Sequence, residues 1–225
     1  MAVALVIPAL DEETAIGPLL DSVDRSLVRD ILVGDNGSRD ATASVAAERG
    51  AEVIHVAERG YGAACAGALA HLRPDIDLVV FMDADGSSDP REIGSLVAPI
   101  ANGRADFVVG TRRDVEPGAM TPQQVAGDRF ATFLVARLYG HRYSDLGPFR
   151  AIRLDLLDRM AMKDRRYGWT VEMQIRAVQL GARILEVPVT CRRRRVGKSK
   201  ISGTVAGVIK AGWWILVTIV RLRRR

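Results

Sequence analysis

Asp83 and Asp85, separated by one alanine in the segment FMDADGSSDP, can both reach one cation. They follow the apolar run LVVFM, which has the composition of a strand buried on both faces, so the pair falls on the turn that ends it. Carboxylate oxygens are hard ligands suited to Mg²⁺ or Mn²⁺. A cation held there would neutralise a diphosphate and help it leave. The plainer alternative is that Asp83 caps the turn while Asp85 is solvated. For an isolated pair that alternative is preferred; the polar company described next reverses the preference.

Three more segments deliver polar groups at the ends of apolar runs: VIPALDEE, VGDNGSRDAT and VGTRR. In open α/β sheets, ligands collect at the carboxyl ends of the strands. Three strand ends then bring carboxylates, and a fourth brings arginines, to one edge, a pattern that suits an anionic ligand bound partly through a metal. Further along, RRRRVGKSK (192–200) is too charged to pack in a core. Arginine forks match phosphate oxygens, and a loop of Arg, Lys, Gly and Ser can close as a lid. By itself this stretch reads equally as a solvated run or a nucleic-acid patch. Two other motifs lead nowhere. GYGAAC has cysteine where a dinucleotide fingerprint needs its third glycine, and VGKS has Arg192 where a P-loop needs its first.

Elements of fixed direction must carry these groups. Short runs rich in Val, Ile and Phe at 3–8, 30–35, 52–56, 77–83 and 105–110 predict strands, with helices between them at 12–27, 38–49, 62–72 and 90–101. Ser38 or Asp40 could cap the second helix, and Asp89-Pro90 is a cap followed by a proline at the first helical position. The second half predicts a helix at 124–139, a strand at 147–153, a helix at 171–180, a strand at 182–189 and a terminal helix from about 202. Alternation at this pitch makes an α/β domain with a mostly parallel sheet.

The 225 residues carry a formal net charge of +5, but residues 187–225 hold 11 basic residues and no acidic ones. An acidic body with a cationic tail is not a generally basic, nucleic-acid-like protein. Cys65 and Cys191 stand far apart with no CxxC spacing, which excludes a disulfide scaffold or thiolate zinc site and fits a reducing compartment. The start of the chain lacks the basic n-region of a secretory signal. The apolar run 211–220 is half of the roughly 20 residues that a bilayer span needs.

The ordered set VIPALDEE, VGDNGSRDAT, RGYGAACAG, FMDADGSSDP, VGTRR, DLGPFRAIR and RRRRVGKSKISG resembles the family 2 glycosyltransferases of GT-A fold. Within that family it is most similar to the dolichyl- and polyprenyl-phosphate sugar transferases, over essentially the whole chain. The resemblance implies a GT-A domain over 1–203, with a nucleotide-sugar half (1–115) and an acceptor half carrying the basic lid loop (116–203). An amphipathic, membrane-proximal helix follows at 204–225. It implies metal-dependent, inverting transfer of a hexose from a UDP-glucose- or GDP-mannose-type donor to a polyprenyl or dolichyl phosphate. It further implies that Pro8, Ala9, Glu12 and Gly60 cradle the nucleotide sugar and that Asp35 accepts a hydrogen bond from the base, with Asn36 replacing a frequent second aspartate. Asp83, Ala84 and Asp85 match the metal and donor-sugar segment, and Ser87 stands where many members carry glutamine as a further metal ligand. Arg112 lies near the phosphates, and Arg195, Ser199 and Lys200 match the loop that closes over them.

A sugar-hydroxyl acceptor would need a general base, for which Glu172 and Asp145 are the candidates; a lipid phosphate is already an anionic nucleophile. Either residue could instead be structural, Glu172 by pairing with Arg150 or Arg176. Trp213, Trp214 and the closing arginines resemble interfacial anchors, drawn to anionic lipid at ~1 kcal/mol per charge. That predicts a peripheral protein on the cytoplasmic face of a membrane. The alternative is a helix packed on the body through Gly203, Gly207 and Ala211. Transfer to a soluble or saccharide hydroxyl is the rival activity, and a basic-tail module binding nucleic acid or membrane is the rival outside enzymes. The strand-end carboxylates would repel a nucleic acid, so none is expected as a partner, and oligomeric state is left open.

Overall fold

Strands that are apolar at every position must be covered on both faces, and the computed structural model, which describes residues 1–194 and 205–223, covers them with eight helices. The strands are β1 (Val3–Ala9), β2 (Asp30–Asp35), β3 (Glu52–His55), β4 (Leu78–Phe81), β5 (Phe107–Val115), β6 (Arg150–Arg153) and β7 (Ile184–Cys191). They form one sheet in the order β3-β2-β1-β4-β6-β5-β7. β6 runs antiparallel to β4 and β5, and the remaining neighbours pair in parallel. The α/β domain with a mostly parallel sheet is thus as expected.

The helices are α1 (Glu13–Asp21), α2 (Thr42–Glu48), α3 (Tyr61–Leu69), α4 (Ile93–Ala101), α5 (Pro122–Tyr139), α6 (Leu154–Met160), α7 (Trp169–Gln179) and α8 (Val205–Arg223). Side chains alternate along β1: Val3, Leu5 and Ile7 pack with Leu20 of α1 and Leu96 of α4, whereas Ala4 and Val6 face a second cluster with Val135 of α5 and Met173 of α7. Ile219 and Leu222 place the end of α8 in that second cluster, so α8 is docked on the body while Trp213 stays 65% exposed.

Local chemistry sets the boundaries. Asp89 accepts from the Arg91 amide at 3.2 Å with Pro90 at the first helical position, as the sequence predicts. Thr121 and Gln124 form a reciprocal capping box at the start of α5. At α2 it is Asp40, not Ser38, whose carboxylate accepts from the Thr42 amide, at 3.0 Å. Three expectations are corrected. α1 stops at Asp21, because Asp24 ties up the Ser26 amide at 2.9 Å and turns the chain. β5 runs through Arg112 to Val115, because β7 pairs alongside it as far as Cys191. α6 follows β6 without a break where no helix was expected.

Candidate active site

The sheet order reverses between β1 and β4, which leaves a crevice beyond their carboxyl ends. A cleft of about 640 Å³ opens there and extends to α5 and α8. Of the residues singled out in the sequence, Pro8, Ala9, Glu12, Gly60, Asp83, Ala84, Asp85, Ser87 and Arg112 line it. Arg195, Ser199 and Lys200 lie outside the described residues.

Asp83 and Asp85 sit on the turn after β4, and the Tyr61 hydroxyl donates to Asp83 Oδ1 at 2.9 Å. Burial, reinforced by the charge of Asp85, pushes the Asp83 carboxyl up to about 7. Two crowded carboxylates of this kind fit a hard divalent cation, which would relieve their repulsion. Among the described residues no group of three or more His, Cys, Asp and Glu side chains forms a closed cage. Ser87 contributes its amide to Asp85 Oδ1 at 3.0 Å, so its backbone shapes the turn.

Arg194 enters the cleft from the end of β7. Its guanidinium pairs with the Glu12 carboxylate and lies 3.8 Å from Asp85 Oδ2. Arg112 reaches in from β5, held by Asp145: its amide and Nε donate to Asp145 Oδ2 at 2.7 and 2.8 Å. Burial alone would raise the Asp145 carboxyl, but the hydrogen bonds and charge of Arg112 outweigh it and hold it below the usual range. Asp128 stands 3.4 Å from the same guanidinium.

Three of the expected site residues, Asp145, Glu172 and Asp35, are not among those that line the cleft. Asp145 is 6% exposed, and its carboxylate is taken up by Arg112. Glu172 is fully buried; its Oε1 accepts from Arg176 Nε at 2.8 Å and its Oε2 from the Lys163 and Asp164 amides at 3.1 and 2.6 Å. The pairing with Arg176 is therefore the one formed. Asp35 is 3% exposed, with Oδ1 accepting from the Ser38 amide at 3.1 Å and Oδ2 3.2 Å from His55 Nδ1, so its carboxylate serves the turn below the cleft. Asn36 lines the cleft instead, its amide spent on the carbonyls of Val56 and Glu58.

One buried residue went unnoticed as a site element. Arg150, 1% exposed, donates to the carbonyls of Thr170 at 2.9 Å, of Pro148 at 3.3 Å and of Gly147. It fixes the strip whose Leu146, Pro148 and Thr170 line the cleft. An arginine inside the run GPFRAIR gives no sign in sequence that its charge is buried. The far part of the cleft is apolar: Met120, Phe130, Ala131, Ile215 and Leu216 from α5, the loop before it and α8.

Residues 4–160 match the family model described as glycosyl transferase family 2. The chain is 36% identical to an undecaprenyl-phosphate mannosyltransferase of Micrococcus luteus, covering 92% of this chain and 90% of that protein. It is 30% identical to a polyprenol monophosphomannose synthase of Mycolicibacterium smegmatis, covering 89% and 81%. Its fold is similar to that of glucosyl-3-phosphoglycerate synthase from Mycobacterium tuberculosis, crystallised with Mn²⁺, UDP and phosphoglyceric acid. There the TM-score is 0.79 at 24% identity, over 99% of this chain and 78% of that one.

Proposed function

Because the chain belongs to glycosyl transferase family 2, and so is a glycosyltransferase, we propose that it moves a hexose from a nucleotide diphosphate sugar to a polyprenyl phosphate. The observation that carries this reading is the two-sided cleft. Its polar part gathers Asp83, Asp85, Arg112 and Arg194, and its apolar part runs between α5 and α8. The relatives named for undecaprenyl-phosphate and polyprenol substrates support the lipid phosphate.

In this reading the segments around Pro8–Ala9 and Gly60 cradle the nucleotide, and Asp83 and Asp85 hold Mg²⁺ or Mn²⁺. When bound, the cation supplies neutralisation of the departing diphosphate. Arg112 and Arg194, fixed by their carboxylate partners, bring positive charge to the phosphates, so charge developing on the leaving group meets cations already in place. An oxygen of the acceptor phosphate attacks the anomeric carbon in line, the bond to the diphosphate breaks on the opposite side, and the configuration inverts. That nucleophile is anionic at neutral pH, so no base is required. The bonds that occupy Glu172 and Asp145 are consistent with this.

Among the described residues no helix is long and apolar enough to cross a membrane. Phe130, Phe133 and Trp213 are 51%, 61% and 65% exposed on α5 and α8, and arginines close the last turn of α8. We assign them, with Arg221–Arg225, to peripheral contact with an anionic membrane; Arg224 and Arg225 lie outside the described residues. Purified protein should transfer label from UDP-glucose or GDP-mannose to undecaprenyl phosphate when Mn²⁺ is present, and should sediment with anionic liposomes less well after Arg221–Arg225 are deleted. Transfer to a soluble hydroxyl acceptor such as phosphoglycerate, with none to the lipid, would reject the acceptor assignment in favour of the soluble-substrate rival.

A further inference from the structure

The loop between α6 and α7 bridges two regions that the proposed reaction keeps apart: the terminal helix α8 and the turn that opens α3 at the nucleotide-sugar end. Asp164 is its centre, 4% exposed. Its Oδ1 accepts from the amides of Arg166 and Gly168 at 2.8 and 3.1 Å. Its Oδ2 accepts from the Thr218 hydroxyl of α8 at 2.9 Å, with Arg221 of the same helix at 3.4 Å. Thr218 is fully buried, so this hydroxyl has been desolvated for the contact. One turn earlier, Trp214 of α8 lies beneath the Arg166 guanidinium, 5.3 Å from ring centre to carbon.

The other side of the loop is spent on α3. The Arg165 carbonyl accepts from the Ala63 amide at 2.8 Å, and the Arg166 carbonyl from the Gly62 amide at 3.2 Å. These are amides of the first turn of α3, which no residue of that helix can satisfy. The approach is close enough to demand glycine: a Cβ at Gly60, whose φ is 149°, or at Gly62 would collide with the carbonyl oxygens of Arg165 or Asp164. Between these glycines stands Tyr61, whose hydroxyl donates to Asp83. Hydrogen bonds joined through short stretches of backbone thus lead from Thr218 through Asp164 and the Arg165–Arg166 carbonyls to the residue that orients Asp83.

We propose that Asp164 is a positioning residue for the nucleotide-sugar site, through which α8 holds the Gly60–Gly62 turn and sets Tyr61 against Asp83. This rests on reading the polar part of the cleft as the donor site. Seating of α8, the helix assigned above to the membrane, then governs donor affinity although α8 contributes no carboxylate to the donor end.

The test compares Thr218→Val, which removes the donor hydroxyl at nearly constant volume, with Thr218→Ser, which keeps it. In Thr218→Val, hydrogen exchange in the peptide 58–66 should accelerate, and the KM for UDP-glucose or GDP-mannose with Mn²⁺ should rise about tenfold. The KM for undecaprenyl phosphate, whose apolar groove α8 also lines, should rise by clearly less, and Thr218→Ser should restore both donor KM and exchange. Exchange and donor KM like the wild type overturn the proposal, and so does an equal rise in both KM values, which marks a general loss of structure. If Thr218→Val does not fold, Trp214→Leu, at a half-buried position on the same helix, removes the Arg166 stacking and carries the same expectations. Exchange is read without nucleotide, so a wild type that binds neither sugar nucleotide refutes the donor reading while the exchange result still decides the link from α8 to the turn.

Discussion

The polar and apolar parts of the cleft are built by different means. At the polar part, each charged group sits on or just beyond a strand: Asp83 and Asp85 after β4, Arg112 within β5, Arg194 after β7. Hydrogen-bonded register fixes those backbones, so side chains far apart in sequence arrive at fixed places. At the apolar part the lining comes mostly from the facing sides of α5 and α8, which meet only through tertiary packing, as where Tyr139 donates to the Ile219 carbonyl 80 residues away. Chemistry that needs ångström placement is carried by the sheet, and a surface that needs only to be apolar is carried by helices.

Asp85→Ala puts the largest stress on that division. A Lewis acid supplies several kcal/mol at the transition state, so turnover should fall by at least about a thousandfold. Asp85 is only partly buried, so the melting temperature should move little. Substantial glycosyl transfer by Asp85→Ala would show that the strand-end carboxylates do not hold the cation.

Arg112→Ala tests whether the polar part is also a structural unit. It leaves Asp145 buried without its partner, and breaking a buried ion pair costs about 3–5 kcal/mol. Urea unfolding should register a loss of about that size, together with weaker donor binding. A stability loss below about 1 kcal/mol would mean that the clamp contributes little and that Arg112 serves the ligand alone.

Glu172→Gln should separate structure from catalysis on the apolar side. Losing the charge that binds Arg176 and two amides should lower stability by roughly 1–3 kcal/mol, with kcat per folded molecule unchanged. A fall of a hundredfold in kcat at constant stability would return Glu172 to the role of a base.

These contrasts also govern what could be read before folding. The strands β1, β2 and β4 were legible because a strand buried on both faces is a continuous apolar run, and the carboxylates after β4 were legible because they end such a run. Arg194 was not singled out, since four consecutive arginines carry no periodic signal saying which of them lines the cleft. Asp35, Asp145 and Glu172 have the right residue types, but their partners, His55, Arg112 and Arg176, are set by tertiary placement. Arg150 was considered only as a partner for Glu172, because burial of a charge by backbone carbonyls depends on a loop that the strand pattern does not describe.

The smallest effect concerns protons at the boundary between the two parts. Burial, and then the charge of Asp145, push the Asp128 carboxyl up to about 7, well above its unfolded range. A carboxyl raised on folding binds its proton more tightly in the native state, so its contribution to stability is full below about pH 4 and is lost as pH rises through 7. Asp145 titrates with it around one guanidinium, so the pair rather than either residue sets the profile. Asp128→Asn removes the ionisation while keeping an oxygen for the Leu146 amide, which donates to Oδ1 at 3.2 Å. Urea unfolding of both proteins from pH 5 to 8 should therefore show the variant gaining on the wild type as pH rises, by on the order of 1 kcal/mol. A constant difference across that range would mean that Asp128 is ionised throughout, and that Arg112 carries two buried carboxylates rather than one.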